Sequence, residues 1–101
     1  MNGWSHTRRR ALRAGLVVLA APAAMIAVWA LAAPHSFYAD FPGGGHRWVS
    51  PLGPYNEHLV RDVGAFELGL VVLAAFAFVT LDRRVVQAAL LSFAVTGTPH
   101  L

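Results

Sequence analysis

Two ionisable residues within apolar segments, Glu67 and His100, are the first candidates for chemistry in this chain. Such residues are costly inside a membrane, and they usually mark a proton path, a ligand site or a structural pair. Glu67 lies 15 residues before Asp82 and His100 lies 16 residues after Arg84, so two straight helices would carry both to about 22–24 Å from the intervening turn. At that common depth the pair could relay protons, ligate a metal or share a buried hydrogen bond, and we favour the hydrogen bond.

A second group of polar residues lies between the apolar segments and is expected on the outer side of a membrane. Its members are His46, Glu57, His58, Arg61 and Asp62, with His35 and Asp40 nearby. Histidine and carboxylate side chains suit zinc, copper or iron, but no His-x-x-x-His or His-Glu-x-x-His spacing occurs, so we assign no metal site. Glu57 and Arg61 are four residues apart, as are His58 and Asp62, and this spacing favours ordinary pairs on one helix surface.

The composition indicates a membrane protein. Of the 101 residues, 56% are hydrophobic and 13% are charged, more apolar surface than a soluble domain of this size can bury. The sequence has no cysteine, which excludes disulfides, thiolate metal sites and cysteine nucleophiles. The net charge of +3 comes from arginines that flank apolar runs, so it reflects membrane topology rather than nucleic-acid binding.

The elements that must position these polar residues are three apolar segments, and we predict an all-α transmembrane bundle with three spans. The predicted parts are a basic head (1–13), helix 1 (14–33), a loop rich in proline, glycine and aromatic residues (34–55), helix 2 (56–81), a turn (82–84) and helix 3 (85–101). Asn56 is predicted to cap helix 2. Gly43-Gly44-Gly45 is predicted to form a turn rather than a phosphate loop, because no Gly-Lys-Ser/Thr follows it.

The positions of the arginines predict the orientation. The head and the 82–84 turn carry six of them, whereas the loop side carries only Arg47 and Arg61. The positive-inside rule therefore places the N-terminus and the turn in the cytoplasm and the loop outside, as in a multi-pass protein of the bacterial inner membrane. A cleaved signal peptide ending at Ala30-Leu31-Ala32 is the alternative, but the apolar run is longer than the roughly 7–15 residues of a signal peptide core.

The segment Gly-Pro-Tyr-Asn-Glu-His-Leu-Val-Arg-Asp-Val-Gly at 53–64, preceded by Asp-Phe-Pro-Gly at 40–43, resembles a group of small uncharacterised bacterial membrane proteins. That group is similar in outline to the DoxX-like four-helix membrane proteins. The resemblance covers residues 37–70 and extends to the remainder by hydropathy alone. It implies a fourth helix after Pro99-His100-Leu101, so a truncated four-helix bundle is the alternative to a complete bundle of three spans. It implies no catalytic residue, and the association of some members with respiratory or sulfur-oxidising complexes implies an accessory role near quinones.

We therefore predict a structural or accessory membrane subunit rather than an enzyme. One alternative is a redox-associated or metal-binding protein that uses Glu67, His100, His58 and His46. A second alternative is a proton-coupled transport component that uses Glu67 and requires oligomerisation. No cofactor is assigned, and the expected partners are the lipid bilayer and other membrane proteins or further copies of the chain, with no nucleic acid.

Overall fold

The computed structural model describes residues 5–98, and this part of the chain is mostly helical, as predicted. It contains four α-helices, α1 (His6–Ala32), α2 (Pro34–Asp40), α3 (Glu57–Thr80) and α4 (Arg83–Gly97). Between α2 and α3 lie two short antiparallel strands, β1 (Pro42–Gly43) and β2 (His46–Arg47), and a 3₁₀ turn over Ser50–Leu52.

Two of the described helices, α1 and α3, are long and apolar enough to cross a membrane. At about 1.5 Å per residue they extend about 40 Å and 36 Å, more than the roughly 30 Å of a hydrocarbon core. The 15-residue helix α4 extends only about 22 Å and does not belong to this group. The third span therefore stays a prediction.

Helix α1 begins at His6, so the predicted start at residue 14 is wrong. The Ser5 hydroxyl accepts a hydrogen bond of 3.1 Å from the backbone N–H of Arg8, as an N-cap residue does. Arginine is a good helix former, and the run of arginines that follows therefore continues the helix rather than forming a separate head.

The connection between α3 and α4 is shorter than the predicted 82–84 turn. Asp82 caps α4, because its carboxylate accepts hydrogen bonds from the backbone N–H groups of Arg84 (2.9 Å) and Val85 (3.4 Å). Arg83 and Arg84 are thus inside α4, and only Leu81 and Asp82 connect the helices. Leu81, directly after α3, has a left-handed φ of 47°, a conformation that costs a leucine energy, and its side chain is fully buried.

Regular structure occupies much of the segment predicted as a loop (34–55), so α2, the two strands and the 3₁₀ turn correct that prediction. Pro34 is the first residue of α2, where its fixed φ and missing N–H are compatible with a helix. Gly44 and Gly45, with φ of 66° and 85°, form the two-residue turn between β1 and β2. That turn needs positive φ at both positions, which glycine adopts without strain, and the predicted turn is confirmed.

The chain divides into two units, which we describe separately. The first unit comprises residues 1–22 and 69–101, and the second comprises residues 23–68. Within the described part, the core of the first unit is formed by Leu16, Ala77, Leu81, Val86 and Ala89. The core of the second unit is formed by Ala30, Phe37 and Val60, surrounded by aromatic and aliphatic side chains of α1, α2 and the residues that follow α2.

Candidate functional site

Aromatic rings of the second unit pack together where α1 ends and α2 begins. Phe37 makes an edge contact with Trp29, with ring centroids 5.9 Å apart, and lies 4.6 Å from Phe41. Phe41 in turn makes an edge contact with Trp48, which follows β2, at 5.8 Å. The indole N–H of Trp29 donates a hydrogen bond of 3.0 Å to the Ser36 hydroxyl. These contacts fix α2 and the hairpin against the end of α1.

A second set of contacts closes the segment between the hairpin and α3. The Tyr38 hydroxyl donates to the backbone carbonyl of Gly53 over 2.6 Å, with the carbonyl of Ser50 at 3.4 Å. The His35 ring lies 4.9 Å from the Tyr55 ring in an edge contact. His35, which was predicted to lie near the polar group, therefore contacts aromatic rings. Asp40 is exposed at the end of α2.

The polar residues at the start of α3 form pairs within that helix, as the spacing predicts. The Glu57 carboxylate accepts a hydrogen bond of 3.2 Å from Arg61, and His58 lies 3.3 Å from Asp62. All four side chains are about half exposed or more. Pairs of this kind stabilise a helix by only about 0.3–0.5 kcal/mol. Asn56 caps the same helix by accepting a hydrogen bond from the backbone N–H of Leu59, which confirms the predicted cap.

Arg61 makes a further contact that sequence spacing does not reveal. Its Nη1 donates a hydrogen bond of 3.1 Å to the backbone carbonyl of Leu31, 30 residues away. Leu31 is in the last turn of α1, where carbonyl groups have no partner within the helix. Arg61 therefore joins the start of α3 to the end of α1, in addition to pairing with Glu57.

An arginine of the first unit makes a comparable contact. Arg13 of α1 donates from Nε to the backbone carbonyl of Phe78, over 3.1 Å, in the last turn of α3. Its guanidinium carbon also lies 5.2 Å from the centre of the Phe78 ring, within the range of a cation–π interaction. Sequence reasoning assigned this arginine to topology alone and missed the contact.

The Tyr55 phenol, between the 3₁₀ turn and α3, has an altered acidity. Partial desolvation raises the pKa of Tyr55 above its usual 10.0, and the negative charge of Glu57, which also forms a hydrogen bond with the phenol, raises it further. The positive charge of Arg61 acts in the opposite direction. The phenol is therefore neutral at physiological pH and serves as a hydrogen-bonding group.

Within the described residues, the other predicted site residues form no group that could hold a metal ion. His46 is exposed on β2, opposite Gly43 in the hairpin register. Within residues 5–98, no three histidine or carboxylate side chains are placed so that they could hold a metal ion. Glu67 is half-buried on α3, and its predicted partner His100 lies outside the described residues. The arrangement that the structure does bring together is a set of aromatic and arginine contacts that fixes helix ends.

Comparison with models of protein families, with curated proteins and with solved structures gives no match to this chain in any of the three.

Proposed function

We propose that this chain is an integral membrane protein that crosses the bilayer through α1 and α3 and acts there as a structural or accessory subunit.

The observation that carries this proposal is the exposure of apolar side chains along α1 and α3. In the most apolar 18-residue stretches of these helices, only 22% and 17% of the residues are buried. Large side chains such as Val18 (70% exposed), Phe66 (78%) and Val79 (75%) face outward. Soluble proteins rarely expose apolar surface of this extent, whereas lipid chains would cover it without loss.

The proposal also includes the orientation of the chain in the membrane and a third span. We assign the N-terminus and the α3–α4 connection to the cytoplasm and residues 33–56 to the outer side of a bacterial inner membrane, on the strength of the arginine distribution. We assign α4 to a third span, since Leu91 and Val95 on it are 66% and 62% exposed. The succession of long helix, folded connection and further helices also supports the proposed likeness to the DoxX-like bundles.

The accessory role is supported by what the polar groups do. Arg61 and Arg13 bond to helix-end carbonyls, and the pairs of Glu57 and His58 lie within one helix surface. These contacts join helix ends and stabilise the start of α3. A proton-transport role would depend on Glu67 and stays an alternative prediction.

A charge-insertion experiment separates a membrane protein from a soluble one. Leu68 and Val72 are 45% and 61% exposed on α3, so a soluble fold would accept arginine at both positions. In a bilayer, each arginine near the helix centre opposes insertion by about 2.5–3.5 kcal/mol. We expect the wild-type chain to remain in membranes washed with alkaline carbonate and the Leu68→Arg/Val72→Arg variant to be lost from them.

The matched control places the same two charges outside the proposed spans, as His46→Arg/Leu52→Arg, and should remain in the membrane. Recovery of the wild-type chain in the soluble fraction would overturn the proposal. The accessory role predicts, in addition, that the wild-type chain solubilised in mild detergent migrates on native gels within a larger complex. Migration as an isolated chain would contradict that role alone.

A further inference from the structure

The first unit combines a strong positive charge with an apolar groove. Its residues include six arginines but a single acidic residue, Asp82. The carboxylate of Asp82 accepts hydrogen bonds from backbone N–H groups at the start of α4. The positive charge of the arginines therefore greatly exceeds the negative charge available within this unit.

The arginines of the two helices lie at the same end of the first unit. Leu12, within the arginine run of α1, packs against the core cluster that contains Leu81 and Val86. Val85, which directly follows Arg84, packs against the same cluster. The start of α1 and the start of α4 are thus brought together, so the arginine-bearing turns of both helices are at one end of the unit.

A groove of about 300 Å³ lies between α1 and α3 in the same unit. Only apolar side chains line it, among them Leu16, Val17 and Ala20 of α1 and Val71, Ala75 and Phe78 of α3. Its lining suits a hydrocarbon chain and offers nothing to a polar ligand.

Arg13 lies where the groove meets the basic end. It is fixed there by its hydrogen bond to the carbonyl of Phe78 and by its position over the Phe78 ring, which itself lines the groove. That hydrogen bond uses Nε, and a guanidinium has four further N–H donors on its Nη atoms, arranged to bind phosphate oxygens. Arg10 is one helical turn before Arg13 and exposed, so it adds positive charge on the same side of α1.

We propose that the first unit binds an anionic glycerophospholipid, with an acyl chain in the groove of α1 and α3 and the phosphate at Arg13 and Arg10. The inference rests on the proposed membrane insertion and deepens it by naming the lipid class. An arginine at the end of an apolar groove matches the two chemically different parts of such a lipid, and basic sites on the cytoplasmic side are suited to anionic headgroups.

Native mass spectrometry of the detergent-purified full chain tests the proposal. The probes are phosphatidylglycerol and phosphatidylcholine with identical acyl chains, which differ in net headgroup charge. We expect the wild-type chain to retain phosphatidylglycerol preferentially. Each arginine near an anionic headgroup strengthens binding about fivefold, so Arg10→Gln should lower the preference about fivefold and Arg10→Gln/Arg13→Gln about 25-fold.

Two further variants locate the site. Arg47→Gln removes an equal charge from the second unit and should leave the preference unchanged. Ala75→Phe fills the groove from an exposed position and should weaken the binding of both lipids. Arg13 also binds the end of α3, so its replacement affects folding as well. If the double variant does not fold, the single variant Arg10→Gln at an exposed position provides the test.

Equal retention of the two lipids by the wild-type chain, or an equal loss of preference in Arg47→Gln and Arg10→Gln, would overturn the inference. If the chain still requires detergent for extraction in that case, the proposed membrane insertion stands and only the lipid site fails. If the chain is recovered without detergent and retains neither lipid, both the proposed membrane insertion and the proposed lipid site are refuted.

Discussion

The Nη1 atom of Arg61 lies 3.1 Å from the backbone carbonyl oxygen of Leu31, and this hydrogen bond joins the start of α3 to the end of α1. The 24 residues between the two helices are held by further contacts, of which the bond from Tyr38 to the Gly53 carbonyl is the shortest. The segment whose prolines and glycines predict a loop is therefore an ordered part of the second unit.

Replacement of Arg61 by glutamine should destabilise the second unit. The variant loses the hydrogen bond to Leu31 and the ion pair with Glu57, and since the arginine side chain is 48% exposed we expect a loss of only about 1 kcal/mol. Thermal unfolding in detergent, followed by circular dichroism, measures the change. Arg47→Gln removes an exposed arginine from the same unit and should leave the midpoint unchanged, and equal midpoints for both variants would refute the role of Arg61.

Gly64 permits a close approach of α3 to α1 in the second unit. A Cβ atom at this position would lie 2.8 Å from Cγ of Leu31 and 3.1 Å from Cβ of Ala30, too close for either neighbour to accept without moving. We expect Gly64→Ala to lower stability by about 1–3 kcal/mol, as overpacking usually does.

Gly69 provides the matched control on the same helix. A Cβ atom added there meets nothing within 4 Å, so Gly69→Ala should raise stability, by up to about 1 kcal/mol, through helix propensity alone. Denaturant titration of the two variants compares the effects directly. A stabilising effect of alanine at position 64 would show that the helices do not approach each other there.

Leu81 should tolerate truncation poorly, although its backbone conformation is strained. Its side chain is fully buried against the core of the first unit, and Leu81→Ala would leave a cavity that costs about 2–4 kcal/mol. Leu52→Ala removes the same atoms from a side chain that is 84% exposed and should change stability little. Differential scanning calorimetry of both variants checks the contrast, and similar midpoints would contradict the described core.

Tyr55 should ionise above pH 10.0, because desolvation and the charge of Glu57 both disfavour the phenolate. Absorbance of tyrosinate in a Tyr38→Phe background follows this residue alone. Glu57→Gln removes the carboxylate charge and should lower the pKa of Tyr55. Since the folded state has the raised pKa, the associated stabilisation is complete below pH 10.0 and disappears as the pH rises through the folded pKa. A lower pKa in the wild type than in Glu57→Gln would contradict the described contact.

Local chemistry explains which parts of the fold could be predicted from the sequence. The cap by Asn56 and the glycine turn of the hairpin both depend on neighbouring backbone atoms. Both were predicted from the sequence, and both predictions are confirmed. The caps Ser5 and Asp82 act in the same local way, but the arginines beside them were assigned to a basic head and a turn, so the starts of α1 and α4 were not predicted. The seven-residue helix α2 was hidden for a related reason, because it lies among prolines and glycines.

The candidate site could be predicted only where it depends on one helix. The pairs of Glu57 with Arg61 and of His58 with Asp62 follow from a spacing of four residues. The bond from Arg61 to Leu31 depends on how two helices pack, and no spacing in the sequence encodes it. The proposal that His46 joins polar residues of α3 in a metal site also depended on tertiary structure. Within the described residues, these side chains form no group that could hold a metal ion.

The central claim is that α1 and α3 cross a bilayer, which requires the segment between them and the α3–α4 connection to lie on opposite sides. The chain has no cysteine, so single-cysteine variants need no further change. The measurement is labelling of His46→Cys and Arg84→Cys in intact cells with a maleimide that cannot cross membranes. We expect reaction at position 46 without permeabilisation and reaction at position 84 only after it. Equal accessibility of the two cysteines in intact cells would contradict the account.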